Sequence, residues 1–496
     1  MENSTSSVEQ SNTEESHSHN GTKWLALAII AIAQLMIVLD ASIVNIALPS
    51  AQKALNITTA NRQWVITAYT LSFGGFLLLG GRIADYVGRK KIFIIGLLGF
   101  AASSALGGFS ANGPMLFAAR ALQGSFGALM APAALSLITV TFTEQKERAT
   151  AFGVYGGISG GGAAIGLIIG GVLTQYASWR WCLFVNVPIS IITAISAFIV
   201  LRESKAQGNT KYDVPGAILA TGGLASLVYG FTSASISGWA TKSTIAYLLL
   251  AGILLTFFVV WEFKASNPLL PMRIVLDKNR GASYLVSLSA GIGMFGAFLF
   301  LTFYFQQILN YSALKAGLAF LPFSGGIIIG AGIASKVLPK LGPKPLMAGG
   351  FLAATIGTLW MSRIGLHTDY FIHVMPSEIV VSVGMGFAFV SLSSTALFGI
   401  ANHDAGVASA TLNTSQQVGG SLGTALLNTL AANATRSFIG HSINPLVIAN
   451  GVVHGFRIGF ITGSIFLFIA SVISVTMIQS RTQFNSLNRD VEHVQF

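Results

Sequence analysis

Long apolar runs separated by short polar segments follow one another along nearly the whole chain. An α-helix needs about 20 mostly apolar residues to cross the hydrocarbon core of a bilayer. Fourteen runs approach or exceed that length, at residues 24–48, 63–80, 92–109, 115–140, 151–173, 182–201, 214–232, 245–263, 282–304, 316–334, 346–361, 379–398, 406–430 and 456–478. The pattern predicts an all-α integral membrane protein with fourteen transmembrane helices.

The composition supports this interpretation. Hydrophobic residues make up 53% of the chain and charged residues only 9%, and the mean hydropathy is +0.69. A water-soluble domain carries about 25% charged residues, so a soluble fold of this size could not cover its surface. The polar ends, 1–23 and 481–496, are expected to be cytoplasmic tails. The first should be disordered because it has little apolar surface to bury.

The positions of lysine and arginine predict an orientation. With the amino terminus in the cytoplasm, 19 of the 28 basic residues fall on the inner side, 8 fall outside and Arg120 lies within a helix. This bias follows the positive-inside rule, so both termini are expected to face the cytoplasm. The net charge of +11 therefore belongs to loops and tails, and it does not indicate a nucleic-acid partner.

An internal repeat divides the chain. Residues 81–93 align without gaps with residues 335–347, so that Arg82 meets Lys336, Gly88 meets Gly342 and Lys90 meets Lys344. The repeat predicts two six-helix bundles, at 24–205 and 266–480, with two inserted transmembrane helices at 206–265. Two similar halves around a central site are a transporter architecture.

Four segments resemble motifs of a known family. Residues 81–93, GRIADYVGRKKIF, closely resemble the signature loop of the major facilitator superfamily. Residues 39–49 (LDASIVNIALP), 120–127 (RALQGSFG) and 179–188 (WRWCLFVNVP) resemble motifs of its fourteen-helix drug:proton antiporter branch, the multidrug efflux type. The resemblance implies the major facilitator fold, a bacterial cytoplasmic membrane, and transport without a cofactor, driven by the proton gradient.

The signature loop is expected to act as a conformational latch. By resemblance, its charges hold the two halves together on the cytoplasmic side and separate when the protein rocks. An orienting loop would need the bases but not an acid, so Asp85 favours the latch. The predicted latch residues are Gly81, Arg82, Asp85, Gly88, Arg89 and Lys90.

The fifth predicted helix carries regularly spaced glycines. Gly162, Gly166, Gly170 and Gly171 match the spacing of the family's antiporter motif, and Leu167 stands where that motif has proline. Small residues at such spacing let helices approach closely. We expect a helix-packing surface without a proline kink.

Two charged residues lie inside predicted helices. A charge at mid-membrane costs at least about 2.5–3.5 kcal/mol and usually faces a cavity or serves transport. The residues predicted to couple protons and substrate are Asp40, Asn45, Arg120 and Glu378. Asp40 is therefore expected to exchange a proton or to bind a cationic substrate. Its alternative is a packing role in which it bonds to Asn45 or to the backbone. Arg120 would stabilise the ionised carboxylate and, by resemblance, take part in proton coupling; it could instead be a structural hydrogen-bond hub.

Glu378 and the aromatic end of the ninth helix are weaker candidates. Glu378 could be a second acidic contact for a cationic substrate. The blander interpretation, a solvated carboxylate at a helix start, is favoured. The rings and amides of 298–307 could line a cavity for flat apolar molecules, although aromatic residues facing lipid are commoner.

Together these features predict a proton-coupled carrier that exports small lipophilic or cationic compounds by alternating access. A dedicated metabolite exporter or a proton symporter of the same fold is the alternative, and a membrane-embedded enzyme or a sensor is disfavoured. All eight histidines fall in tails, loops or helix ends, so no metal site is expected. The expected partners are a small-molecule substrate, protons and the lipid bilayer, with the monomer as the functional unit.

Overall fold

The computed structural model describes residues 5–205, 213–266, 268–398 and 405–479 of the chain, and the described part contains helices but no strand. The first group of helices comprises α1 (Thr5–Ala54), α2 (Trp64–Val87), α3 (Arg89–Gly108), α4 (Gly113–Thr141), α5 (Gln145–Tyr176), α6 (Trp181–Phe184) and α7 (Asn186–Val200). Two helices, α8 (Val214–Ser237) and α9 (Lys242–Lys264), follow.

The second group comprises α10 (Met272–Val275), α11 (Lys278–Phe303), α12 (Ala313–Ala319), α13 (Leu321–Leu341), α14 (Pro343–Met361), α15 (Met375–Ala396), α16 (Ala405–Ile439) and α17 (Pro445–Met477). Two π-helical turns, Tyr304–Ile308 and Tyr370–Val374, extend α11 and precede α15. We call α1–α7 the amino-terminal group and α10–α17 the carboxy-terminal group.

Among the described residues, 10 helices are long and apolar enough to cross a membrane, or 11 when the two bent parts of α2 count as one span. Three long helices, α5, α14 and α16, are not among them. The chain is thus a multi-pass membrane protein, whereas length and composition alone do not give the expected count of fourteen.

The amino-terminal tail differs from the expectation. Helix α1 begins at Thr5, so the segment predicted to be disordered up to residue 23 continues the first helix. Extending an existing helix avoids the cost of nucleating a new one, and no proline interrupts this polar stretch. Residues 1–4 and the predicted tail 481–496 lie outside the described residues.

The two copies of the repeat have the same local structure. Gly88 separates α2 from α3 with a φ of 131°, and Gly342 separates α13 from α14 with a φ of 79°. Both values lie where side chains with a Cβ are strained. The aligned glycines therefore break two helix pairs at equivalent places.

Packing defines two groups joined by few elements. Helix α4 packs on α2 and α3, and α5 packs on α1; in the other group, α15 packs on α13 and α14, and α16 packs on α11. Helix α8 packs against α9, and it also contacts both α2 and α16. The inserted pair therefore touches one helix of each group.

Candidate functional site

The amino-terminal group holds a fully buried ion pair at its centre. Asp40 of α1 has no exposed surface, and its Oδ2 accepts a hydrogen bond of 2.6 Å from Nη1 of Arg120 in α4. Its Oδ1 accepts from Nε2 of Gln123 at 2.7 Å and from Nδ2 of Asn186 in α7 at 2.8 Å. Three donors thus satisfy the oxygens of a fully buried carboxyl group, as a polar group in an apolar setting requires.

The guanidinium of Arg120 is held on several sides. Its Nε donates to the carbonyl oxygen of Val65 in α2 at 3.0 Å, and its Nη1 also donates to Oε1 of Gln123. Its Cζ lies 4.3 Å from the ring centroid of Tyr69, which adds a cation–π contact. Arginine suits this place because its planar group offers several fixed donors.

Three residues of this network were not among the predicted site residues. Gln123 also donates to Oγ of Ser104 in α3, and Asn186 and Ser104 are fully buried. Gln123 and Asn186 lie in motif segments of the sequence, which was the available signal. An amide side chain does not by itself indicate a functional site, because hydrogen-bonded amides are common in packed interiors.

Asn45 does not belong to this network. Its Nδ2 donates to the carbonyl oxygen of Ala41 one turn earlier on α1, at 3.0 Å. The alternative in which Asp40 bonds to Asn45 is therefore wrong: the carboxylate faces α4 and α7 instead. Position 45 lies more than one helical turn from position 40 and on a different side of the helix.

The glycines of α5 lie against the stretch of α1 that carries Asp40. A Cβ on Gly162 would come within 3.0 Å of Leu35, one on Gly166 within 2.8 Å of the Cβ of Ser42, and one on Gly170 within 3.1 Å of the Cα of Ile43. No larger side chain fits between the two helices without displacement. Gly171 instead faces Leu314 of α12 in the other group, whose Cα would lie 2.7 Å from an added Cβ.

The predicted latch makes its described contacts inside the amino-terminal group. Nε of Arg89 donates to Oδ1 of Asp85 at 2.8 Å across the break between α2 and α3. The carboxylate of Glu203 accepts from the backbone N–H groups of Lys90 and Lys91, both at 3.1 Å, and so caps α3.

The remaining latch residues surround this cap. A Cβ on Gly88 would lie 2.7 Å from the carboxyl of Glu203, and Nζ of Lys90 donates to the carbonyl oxygen of Phe198 at 2.7 Å. Gly81 packs on Pro132 of α4, and Arg82 is exposed. The structure thus brings the loop to α4 and to the end of α7.

The preferred interpretation of Glu378 as a solvated carboxylate is wrong, although the residue does lie in the first turn of α15. It has no exposed surface, and neither carboxyl oxygen has a hydrogen-bond partner in the described part of the chain. Asp369 caps the π-helical turn by accepting from the N–H of Ile372 at 2.9 Å. The π-helical turn leads directly into α15, and no donor among the described residues forms a hydrogen bond with Glu378.

The aromatic end of α11 is not lipid-facing either. Phe300, Phe303, Tyr304 and Phe305 are fully buried. The amides that follow, Gln306 and Gln307, line a cavity of about 810 Å³. The less favoured expectation was that rings and amides line a cavity; the amides do so, whereas the rings are buried away from it.

That cavity lies between the two groups, at the end of the molecule that carries the α1–α2 loop, which we call the α1–α2 end. Its walls come from α1 (Gln52 and Lys53), α5 (Thr174 and Gln175) and the segment after α11. Hydrogen bonds between the groups cluster at the same end; they join Gln306 to Ile46, Leu314 to Gln175, Arg62 to Asn428, Thr67 to Thr424 and Thr70 to Ser421.

Two packed groups of long apolar helices, a charged network buried in one and a polar cavity between them define a membrane carrier. A sequence model of the Major Facilitator Superfamily matches residues 30–424. The chain belongs to this superfamily, whose members transport small molecules.

Similar proteins agree with this assignment. The chain is 44% identical to the puromycin resistance protein pur8 of Streptomyces alboniger, over 93% of this chain and 92% of that protein. It is 35% identical to the cephamycin export protein CmcT of Amycolatopsis lactamdurans, over 84% and 87%. A crystal structure of an auto-inhibited POT family peptide transporter superposes with a TM-score of 0.64 at 14% identity, over 91% of this chain and 96% of that one, which shows the shared fold.

Proposed function

We propose that this protein exports small lipophilic or cationic compounds, including antibiotics, by proton-coupled antiport in a bacterial cytoplasmic membrane. The observation that carries the proposal is the buried ion pair between Asp40 and Arg120. An ionisable pair inside a membrane protein is a functional site by default because burying charge is costly. The resistance and export proteins to which the chain is similar support efflux as the direction.

The proposed topology has fourteen transmembrane helices and cytoplasmic termini. The 11 apolar spans and the three long helices α5, α14 and α16 supply that number. The bundles are then 24–205 and 266–480, with α8 and α9 as the inserted pair. In this orientation the α1–α2 end is extracellular, and the positive-inside bias supports it.

The proposed mechanism is alternating access between the two groups. The hydrogen bonds between groups hold the α1–α2 end together, so this conformation is closed toward the outside. Protonation of Asp40 would neutralise the partner of Arg120 and weaken the network that joins α1, α4 and α7. Substrate release and proton entry then occur when the contacts at the α1–α2 end break.

The signature loop fits such a cycle. Its contacts here stay within the amino-terminal group, as expected of a latch that is open when the cytoplasmic side is open. We propose that Arg82, which is exposed, reaches the carboxy-terminal group in the opposite conformation. Charged contacts between the loop and the carboxy-terminal group would favour one of the two alternating-access conformations without straining the helices.

The test is transport by purified protein in proteoliposomes with an acidic lumen. Inside-out molecules should accumulate puromycin or ethidium, and a protonophore should abolish accumulation. Asp40→Asn should lose gradient-driven accumulation, because the amide cannot exchange a proton. Asn45→Ala, on the same helix but outside the network, should retain it.

Two results would contradict the proposal. Accumulation that requires an alkaline lumen would show symport, and wild-type accumulation by Asp40→Asn would remove the carboxylate from the mechanism. The dedicated exporter would instead be favoured if the protein transported a single metabolite and no antibiotic or lipophilic cation competed with that transport.

A further inference from the structure

Glu378 is a buried carboxyl group that the ion-pair network does not use. It lies on α15 in the carboxy-terminal group, whereas Asp40 and Arg120 lie in the amino-terminal group. Both of its oxygens lack a hydrogen-bond donor among the described residues, and no part of the side chain is exposed. An isolated carboxylate in such a place is so costly that the group takes up a proton instead.

The surroundings of Glu378 supply no compensating charge. The helices packed on α15 are α11, α13, α14 and α16, together with the π-helical turn before it. The basic residues of the first three lie at the opposite end of the bundle, at Lys278, Arg280, Lys336, Lys340 and Lys344. Arg436 of α16 donates to Asn433 and is exposed. The π-helical turn carries two further titratable groups, Tyr370 and His373. The ring centroid of His373 lies 6.1 Å from that of Trp360, and neither residue donates a hydrogen bond to Glu378.

A path of aromatic residues leads from Glu378 to the cavity. Tyr370 belongs to the π-helical turn that packs against α15, the helix of Glu378. The ring of Phe305 lies 6.0 Å from that of Tyr370 and 5.8 Å from that of Tyr311, measured between centroids. Tyr311 lines the cavity at the α1–α2 end. Tyr370, Phe305 and Tyr311 thus form a line of rings from the π-helical turn beside α15 to the polar cavity between the groups.

We propose that Glu378 is a second proton-carrying site of the transporter, located in the carboxy-terminal group and loaded from the cavity at the α1–α2 end. This inference rests on the proposed proton-coupled export and adds a carboxyl group to it. In the conformation described here Glu378 holds its proton and is closed off.

The proton transfer is simple to balance. When the α1–α2 end opens, a hydronium ion in the cavity gives a proton to the carboxylate, forming one O–H bond and leaving water. When the opposite side opens, that O–H bond breaks and the proton passes to water there. The hydroxyl of Tyr370 donates to the carbonyl oxygen of Ala319 at 2.8 Å and is not consumed in this transfer.

Infrared difference spectroscopy tests the protonation directly. Wild-type protein should show the carbonyl stretch of a protonated carboxylic acid at neutral pH, shifted in heavy water. Glu378→Gln should lose this band, while Glu378→Asp should keep it. Glu262→Gln, which changes another buried carboxyl with one unpartnered oxygen outside the two groups, controls for bands that do not belong to Glu378.

Transport measurements then test the role. Glutamine mimics the protonated acid, so Glu378→Gln should fold as the wild type does and retain exchange of ethidium across the membrane. It should lose about tenfold or more of the accumulation driven by a pH gradient. Glu378→Asp should recover part of that loss.

The outcomes separate the two proposals. Wild-type protein without any gradient-driven transport contradicts the proposed function, whatever the infrared spectrum shows. Gradient-driven transport that is equal in wild type and Glu378→Gln overturns the second site alone. An infrared spectrum that is the same in wild type and Glu378→Gln overturns it as well, because every protonated carboxyl group then lies elsewhere.

Discussion

Asp40 shows how a charged side chain becomes tolerable among apolar helices. Its carboxylate receives one donor from the guanidinium and two from amides, all of them buried. Hydrogen bonds to charged groups contribute about 1.5–3 kcal/mol each, and leaving the charge unpaired costs more. Removing one residue of the network therefore leaves another buried polar or charged group without its partner, and the protein loses stability.

This dependence predicts the result of a double substitution. Arg120→Gln should destabilise the protein by about 3–5 kcal/mol, because it leaves the carboxylate of Asp40 buried without its cation. Adding Asp40→Asn should recover much of that loss, since no unpaired charge remains. Thermal unfolding in detergent measures both variants, and gradient-driven transport should stay absent in the double variant.

Arg89→Gln is a suitable comparison. Arg89 also pairs with an aspartate, but that pair is partly exposed at the loop. Such pairs contribute about 0–1 kcal/mol, so little change in unfolding temperature is expected. A double variant no more stable than Arg120→Gln alone would refute the charge-pairing account.

At the scale of helices, α1 and α5 are brought together by glycines rather than by large side chains. The added Cβ distances at Gly162, Gly166 and Gly170 place the backbone of α5 directly on α1. Without a strong hydrophobic drive between helices in lipid, close packing of small residues supplies much of the attraction. The position of Asp40 relative to α4 and α7 depends on this support.

Gly166→Val should therefore separate α5 from α1. Its Cβ would lie 2.8 Å from Ser42 and 3.0 Å from the carbonyl oxygen of Leu39, and overpacking of this kind costs about 1–3 kcal/mol. We expect lower thermal stability and reduced transport. Gly252→Val on α9, where an added Cβ meets nothing within 4 Å, should leave both unchanged; equal effects at the two positions would contradict the packing role.

At the scale of the whole molecule, one end of the interface between the groups is fastened by polar contacts. Arg62 is central: its Nε donates to Oδ1 of Asn428 at 3.2 Å, and its Cζ lies 3.9 Å from the ring centroid of Phe303. Burial lowers the pKa of Arg62 to about 9, so the guanidinium remains charged at neutral pH. The same contacts must break for the carrier to open at this end.

A reversible cross-link at that end should stop the cycle. Oε1 of Gln175 in α5 accepts a hydrogen bond of 3.3 Å from the backbone N–H of Leu314 in α12. In a background with Cys182 replaced by serine, cysteines at these two positions would join the two groups. Transport should fall to background after treatment with a short thiol cross-linker and return on reduction.

A cross-link within the inserted pair, α8 and α9, serves as the control. Cysteines at Ser233 and Ser243, whose hydroxyls lie 3.3 Å apart on α8 and α9, should be joined without loss of transport. Full activity of the cross-linked Gln175–Leu314 pair would show that the groups do not separate at the α1–α2 end.

The sequence by itself determined the membrane location, the helix pattern, the repeat and the two charged residues, because these follow from local hydrophobicity, spacing and the cost of burying charge. The superfamily resemblance was confirmed by the match over residues 30–424. Most helix positions agreed to within a few residues. Glycine at 88 and 342 was readable as a helix break because so few residues adopt a positive φ.

Only the tertiary structure decided which groups surround each charge. Asn186 is 146 residues away from Asp40 along the chain, yet it donates to its carboxylate, whereas nearby Asn45 does not. Helical period fixes which face a residue shares with its neighbours, but not which other helix covers that face. For the same reason Glu378 looked like a helix-start residue in sequence and proved to be a buried acid.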